Sequence, residues 1–152
     1  MKAVVQRVTR AAVRVDGTVV GETGAGMLVL LGVLQGDSAR ECDELALKVA
    51  QFRFFQDEQG KMNLSALDLS REVLVVSQFT LAADGSSGRR PSFDCAAPPA
   101  EAETLYERFV EQLRALGLEV ATGRFGARMQ VEIVNDGPVT FVLEVSAGIS
   151  RG

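Results

Sequence analysis

Two short segments gather most of the side chains that could do chemistry. Ser77-Gln78-Phe79-Thr80 closes a β-branched run that begins at Glu72. Three of its four residues are polar, at the point where the apolar run stops. In an extended strand, Ser77 and Phe79 share one face while Gln78 and Thr80 share the other. Such a strand end offers hydroxyls, an amide and free backbone N–H groups, which suit a carbonyl or a ribose. A plainer reading is that the hydroxyls mark the exit to a turn, and spacing alone leaves both open. The second segment is Asn135-Asp136-Gly137-Pro138-Val139-Thr140. Asp136-Gly137 alone is an ordinary hairpin signal, but Pro138 removes a ladder N–H where a hairpin wants pairing. Gly137-Pro138 is a candidate cis peptide. A rigid turn there could aim backbone carbonyls at a target, or it could be structural only.

Other features are weaker. Gly88-Arg89-Arg90-Pro91-Ser92-Phe93 places two guanidinium groups beside small residues, a combination suited to phosphate oxygens. Asp84 and Asp94 make the same loop neutral overall, so a solvated loop is the competing reading. Gly21-Glu22-Thr23-Gly24-Ala25-Gly26 has the look of a phosphate loop. It has neither the G-x-G-x-x-G order nor a following G-K-[ST], and it joins two strands, so a plain loop is expected. The two cysteines, Cys42 and Cys95, stand far apart without a C-x-x-C pattern. No metal site, redox couple or cofactor is expected from them. Cys95 has only Arg89 and Arg90 nearby to activate a thiolate.

The chain contains no histidine. Ser-His-Asp and Cys-His hydrolysis, His-ligated zinc and imidazole acid–base catalysis are therefore excluded. The 16 Lys and Arg against 20 Asp and Glu leave a net charge of −4. A basic surface for coating nucleic acid is absent, so an RNA partner would be held by a local patch. Arg89, Arg90, Arg124 and Arg128 are candidates for such a patch.

The elements that must position these residues read as follows. Lys2–Val8, Ala11–Val15 and Thr18–Gly21 are strand-like, with Asp16-Gly17 as a type I′ hairpin turn. Met27–Leu34 is a continuous apolar strand buried on both faces. Ser38 and Glu41 have capping-box spacing ahead of a helix with Cys42, Leu45, Ala46, Val49 and Ala50 on one face. Strands are expected at Phe52–Gln56 and Glu72–Phe79, then an irregular stretch over residues 82–97. A second helix opens at Pro98-Pro99, and Gly117 closes it. Three strands follow: Leu118–Thr122, Met129–Asn135 and Val139–Val145. Helices do not alternate with every strand, so the class is α+β. One domain over residues 1–145 is expected, with 146–152 as a flexible tail. Its 152 residues are enough to bury about 68–70% of the unfolded surface. No signal peptide or membrane span is visible, and a cytoplasmic location is expected.

Taken together, the segments resemble the D-aminoacyl-tRNA deacylase family. The resemblance runs through Val5-Gln6-Arg7-Val8, Gly60-Lys61-Met62-Asn63-Leu64 and Val75-Val76-Ser77-Gln78-Phe79-Thr80-Leu81. It continues through Arg90-Pro91-Ser92-Phe93, residues 122–127, Met129-Gln130-Val131 and residues 135–140. The paired S-Q-x-T-L and N-x-G-P-x-T motifs are its most specific part. The resemblance implies a small barrel-like, mainly antiparallel sheet with two main helices, working as a homodimer. It implies that Ser77, Gln78, Phe79 and Thr80 line the pocket for the 3′ end of an aminoacyl-tRNA. It further implies that cis Gly137-Pro138 reaches into the partner subunit's pocket as a chiral gate, held by Arg7. Arg128, where an acidic residue is expected, and the small loop Gly85-Ser86-Ser87 depart from the family pattern.

The activity so implied is hydrolysis of the ester between a D-amino acid, or glycine, and the tRNA 3′ ribose. A nucleophilic Thr80 would need a base, and no Lys or Asp closely flanks the motif. Water attack on a carbonyl polarised by the backbone N–H groups near Phe79 and Thr80 is the expected chemistry. A non-catalytic dimeric module binding RNA or a nucleotide is the alternative.

Overall fold

The computed structural model describes residues 1–147. Strand β1 (Lys2–Val15) turns through Asp16-Gly17, both with positive φ, into β2 (Thr18–Thr23). Strand β3 (Gly26–Gly32) is followed by helix α1 (Ala39–Gln51), β4 (Phe55–Gln56) and β5 (Met62–Leu64). Helix α2 (Ala66–Leu69) leads into β6 (Glu72–Ser77) and a 3₁₀ turn at Phe79–Ala82. Helix α3 (Pro99–Ala115), β7 (Glu119–Thr122) and β8 (Gln130–Glu144) complete the order. The class is mixed α+β, with α1 and α3 as the two main helices.

The main sheet runs β2-β1-β3-β6-β7, with β8 on the other side of β1. Pairs involving β1 are antiparallel, while β3–β6 and β6–β7 are parallel. The sheet curls until β2 lies against β7, which makes it barrel-like. The closeness of that seam requires glycine. A Cβ on Gly21 would sit 2.0 Å from the Thr122 carbonyl oxygen.

Strand β3 is buried on both faces, as its continuous apolar run dictates. Met27, Val29 and Leu31 join Val73 and Val75 beneath the helices, while Leu28 packs with Leu74 and Val76 inside the curl. The α1 face of Cys42, Leu45, Ala46, Val49 and Ala50 and the α3 face of Leu105, Phe109 and Leu113 complete the helix-side core. Tyr106 sits among them, and its hydroxyl donates to the Val75 carbonyl at 3.1 Å.

Several expected boundaries differ. Lys2–Val8 and Ala11–Val15 are one strand of 14 residues. Its register against β8 shifts between Gln6 and Val8 and again between Val8 and Arg10. Irregularities of this kind turn a strand's faces over. Ala3 and Val5 accordingly face the helix-side core, whereas Ala11 and Val13 face the interior of the curl. Likewise Met129–Asn135 and Val139–Val145 belong to a single strand, β8, that passes through Gly137-Pro138. The Phe52–Gln56 strand shrinks to Phe55–Gln56, paired with the unanticipated β5. The Glu72–Phe79 strand stops at Ser77. Of the expected 146–152 tail, residues 148–152 lie outside the described residues.

Candidate functional site

Strands β3, β6 and β7 run parallel, and their carboxyl ends open onto one cleft of ≈ 630 Å³. Val33 follows β3, Val76, Ser77, Gln78 and Phe79 come from the end of β6, and Phe125-Gly126-Ala127 follow β7. Phe93, Ala96, Ala97 and the start of α3 close the remaining wall. The lining is mainly apolar, with the polar groups of Ser77 and Gln78 at one side. Carboxyl ends of adjacent parallel strands are where open sheets bind ligands.

The end of β6 does not continue as a strand. Gln78 donates its N–H to the Leu31 carbonyl at 2.7 Å, and the chain then tightens into the 3₁₀ turn. Leu81 N–H donates to Gln78 O at 3.1 Å and Ala83 N–H to Thr80 O at 3.0 Å. The Phe79 and Thr80 N–H groups have no acceptor among the described residues, the usual condition of the first donors of a helical turn. The face alternation expected for residues 77–80 therefore fails beyond Ser77. Phe79 is 59% exposed, and its ring lies 5.2 Å from that of Phe93. Thr80 is exposed beside the cleft rather than in its lining, and its hydroxyl accepts a hydrogen bond from the Gln78 side-chain amide.

Arg7, Gly137 and Pro138 form a second cluster. The Gly137-Pro138 bond is cis, and both residues are exposed. Arg7 Nε donates to the Asp136 carbonyl at 3.2 Å and lies 3.4 Å from the Asp136 carboxylate. Asn135 closes the bend from within: its Nδ2 donates to Arg7 O at 2.8 Å and to Val139 O at 3.1 Å. This positioning role of Asn135 was not evident from the sequence. Along β3, Arg7 stands opposite Met27 and Ser77 opposite Leu31. Four residues of strand, about 13 Å at ~3.3 Å per residue, separate the two clusters within one chain. The cleft lining contains none of Arg7, Gly137 or Pro138.

The remaining candidates sort clearly. Arg89, Arg90, Arg124 and Arg128 are exposed and have no ion-pair partner among the described residues. The Gly21–Gly26 loop holds a carboxylate of its own chain. Gly24 N–H donates to Glu72 Oε2 at 2.7 Å, and the Thr23 hydroxyl donates to the same oxygen at 3.2 Å, a structural tie within the chain. Cys42 is buried, donates to Leu105 O, and has its thiol pushed up to about 12 by burial, so it is no nucleophile. Cys95 is exposed in the loop before α3. Among the described residues no cluster of three or more His, Cys, Asp or Glu could hold a metal. No helix among them is long and apolar enough to cross a membrane. The sequence reading missed the cleft walls at Phe93 and Phe125, although both lie in segments that carry the resemblance.

A curled α+β sheet with a cleft at its parallel strand ends, edged by unpaired backbone donors, defines a small-molecule or chain-end binding domain. The comparisons make this specific. Residues 4–144 match the family model described as D-Tyr-tRNA(Tyr) deacylase, and the chain belongs to that family. A D-aminoacyl-tRNA deacylase of Geotalea uraniireducens is 59% identical over 152 residues, covering 100% of this chain and 98% of that protein. One of Ruegeria pomeroyi is 57% identical over 145 residues, covering 95% and 100%. Among solved structures, a c-Myc DNA unwinding element binding protein superposes with a TM-score of 0.91 at 46% identity, covering 97% of this chain and 100% of that one. A probable eukaryotic D-amino acid tRNA deacylase shares the fold, with a TM-score of 0.82 at 17% identity and coverage of 95% and 98%.

Proposed function

We propose that this chain hydrolyses the ester joining a D-amino acid to the 3′ ribose of tRNA. The observation that carries the reading is the pair of unpaired N–H groups at Phe79 and Thr80 on the rim of an apolar cleft. The full-length relatives described as D-aminoacyl-tRNA deacylases support it. In this scheme the terminal base and ribose occupy the cleft against Phe79, with Ser77 and Gln78 supplying polar contacts. The N–H groups of Phe79 and Thr80 polarise the ester carbonyl and stabilise the oxyanion that forms. Water adds to the carbonyl carbon, the bond to the ribose oxygen breaks, and that oxygen takes up the proton. The products are a free D-amino acid and tRNA. The vicinal ribose 2′-OH assists, so part of the equipment belongs to the RNA.

Selection by chirality requires the second cluster. Carbonyls of Gly137 and Pro138 from a partner subunit would bind the α-ammonium and leave no room for an L side chain. Glycine, with no side chain, passes the same gate, so glycyl-tRNA is also a substrate. A homodimer is supported by the separation of the two clusters within one chain and by exposed Ile133, Val134 and Val142 on β8. Arg7 holds the gate through Asp136. Residues 1–145 act as one domain, and the place of action is the cytoplasm, where charged tRNA is found.

Incubation with D-Tyr-tRNA and with L-Tyr-tRNA, followed by measurement of the ester remaining, tests the reading. Release of D-tyrosine with the L ester left intact supports it. Binding of tRNA without turnover of the D ester would instead identify a non-catalytic RNA-binding module.

A further inference from the structure

A second, smaller pocket of ≈ 230 Å³ lies apart from the cleft. Its walls include Arg7, Thr9, Gly26, Gln56, Arg71 and Asp136. Two arginines and a single acidic residue, Asp136, thus line one cavity.

The two arginines are in different states. Arg7 is only 12% exposed at its side chain and is engaged by Asp136. Arg71 has no ion-pair partner among the described residues. Its Nε is buried and makes no hydrogen bond, while its guanidinium lies 5.7 Å from the centre of the Phe55 ring. Stacking against an aromatic ring fixes the plane of a guanidinium without using its N–H donors. A buried donor left unsatisfied is costly, and a planar fork held this way suits a tetrahedral oxyanion. The carboxylate of Glu72, next in sequence to Arg71, is already held by Thr23 and Gly24.

We propose that the Arg7–Arg71 pocket binds a phosphate group, with Arg71 as its principal donor. The phosphate belongs either to the backbone of the RNA substrate, which rests on the function proposed above, or to free inorganic phosphate. Occupancy also reaches the Gly137 bend. Arg7 is the shared element, because its Nη2 lies 3.1 Å from the position a Cβ on Gly137 would take. A phosphate in the pocket shares the Arg7 guanidinium with Asp136 and so bears on the segment that Arg7 braces.

The test is a titration of the full chain with inorganic phosphate, followed by calorimetry at constant ionic strength. One saturable site per chain is expected. Arg71→Gln weakens it by about tenfold or more, the factor that loss of a charge-assisted hydrogen bond carries. Should Arg71→Gln fold poorly, Gln56→Glu serves instead, since it places a second carboxylate in the pocket from an exposed strand position and should abolish phosphate binding. Competition by deacylated tRNA assigns the site to an RNA phosphate, and indifference to tRNA assigns it to free phosphate. Absence of saturable binding, or equal binding by wild type and both variants, overturns the inference. Deacylation by a wild-type chain that binds no phosphate removes this inference alone. Phosphate binding by a chain that deacylates nothing removes the functional reading alone.

Discussion

The side-chain amide of Gln78 donates to the hydroxyl of Thr80 two residues further on. This bond uses the only hydroxyl on the 3₁₀ turn as an acceptor, and among the described residues that hydroxyl donates to no carboxylate. Thr80→Ala should therefore keep much of the deacylase activity and form no acyl-enzyme. Mass spectrometry of the enzyme quenched during turnover, alongside initial rates, checks this. Complete loss of turnover with a trapped Thr80 adduct in the wild type would show that water attack is the wrong scheme.

Gly137 has φ +128°, where a side chain is strained, and its Cβ would meet Val139 Cγ2 at 2.7 Å and Arg7 Nη2 at 3.1 Å. Gly137→Ala should cost about 1–3 kcal/mol of stability. The displaced bend should also narrow the difference between D and L esters. Urea denaturation and paired deacylation rates give the two readouts. A variant with wild-type stability and undiminished selectivity is incompatible with the gate as described.

Salt dependence should be shallow. The net charge is −4, and the exposed, unpaired cations beside cleft-lining segments are Arg89, Arg90, Arg124 and Arg128. Each phosphate contact contributes about −0.7 to −0.9 to the slope of log K against log salt, so four contacts give about −3 to −4. A slope near that of 6–10 contacts would reveal a larger basic surface than these four residues supply.

Glu41 is 2% exposed, and its carboxylate accepts from Ser38 N–H at 2.7 Å. The Ser38 side chain, with help from its backbone and Arg40, lowers the Glu41 pKa from 4.5 to about 2. A depressed carboxyl pKa stabilises the fold fully above pH 4.5, and that share is lost as pH falls towards 2. Ser38→Ala should cost about 1 kcal/mol at pH 7, as loss of an N-cap does. Its deficit against wild type should shrink at pH 3. Urea midpoints at the two pH values decide; a deficit that grows on acidification contradicts the assignment.

Local chemistry made some elements legible in the sequence. The Ser38–Glu41 box and the Asp16-Gly17 turn depend on neighbours a few residues away, and both form as their residue types require. The alternation of β3 between two cores could be read from its unbroken apolar run. The course of the chain after Ser77 could not. Hydroxyls and an amide are compatible with a strand end or a 3₁₀ turn, and the Leu31 carbonyl that anchors Gln78 is distant in sequence. The same limit hid the cleft wall at Phe93 and Phe125, which only the folded sheet brings to Phe79. The unity of β1 was hidden differently: its register shifts interrupt the hydrophobic alternation, so one bent strand reads as two.

Strand β8 pairs with β1 on one side only, leaving an edge that extends over 15 residues with Val142 66% exposed. A long open edge is a template on which any extended chain can add itself, and proteins interrupt such edges to stay in solution. Pro138 has no N–H to offer, so it divides the template into two shorter lengths. The proline that bends β8 thus also acts against aggregation. Its replacement by a residue with an amide would lengthen the sticky edge even where catalysis survived.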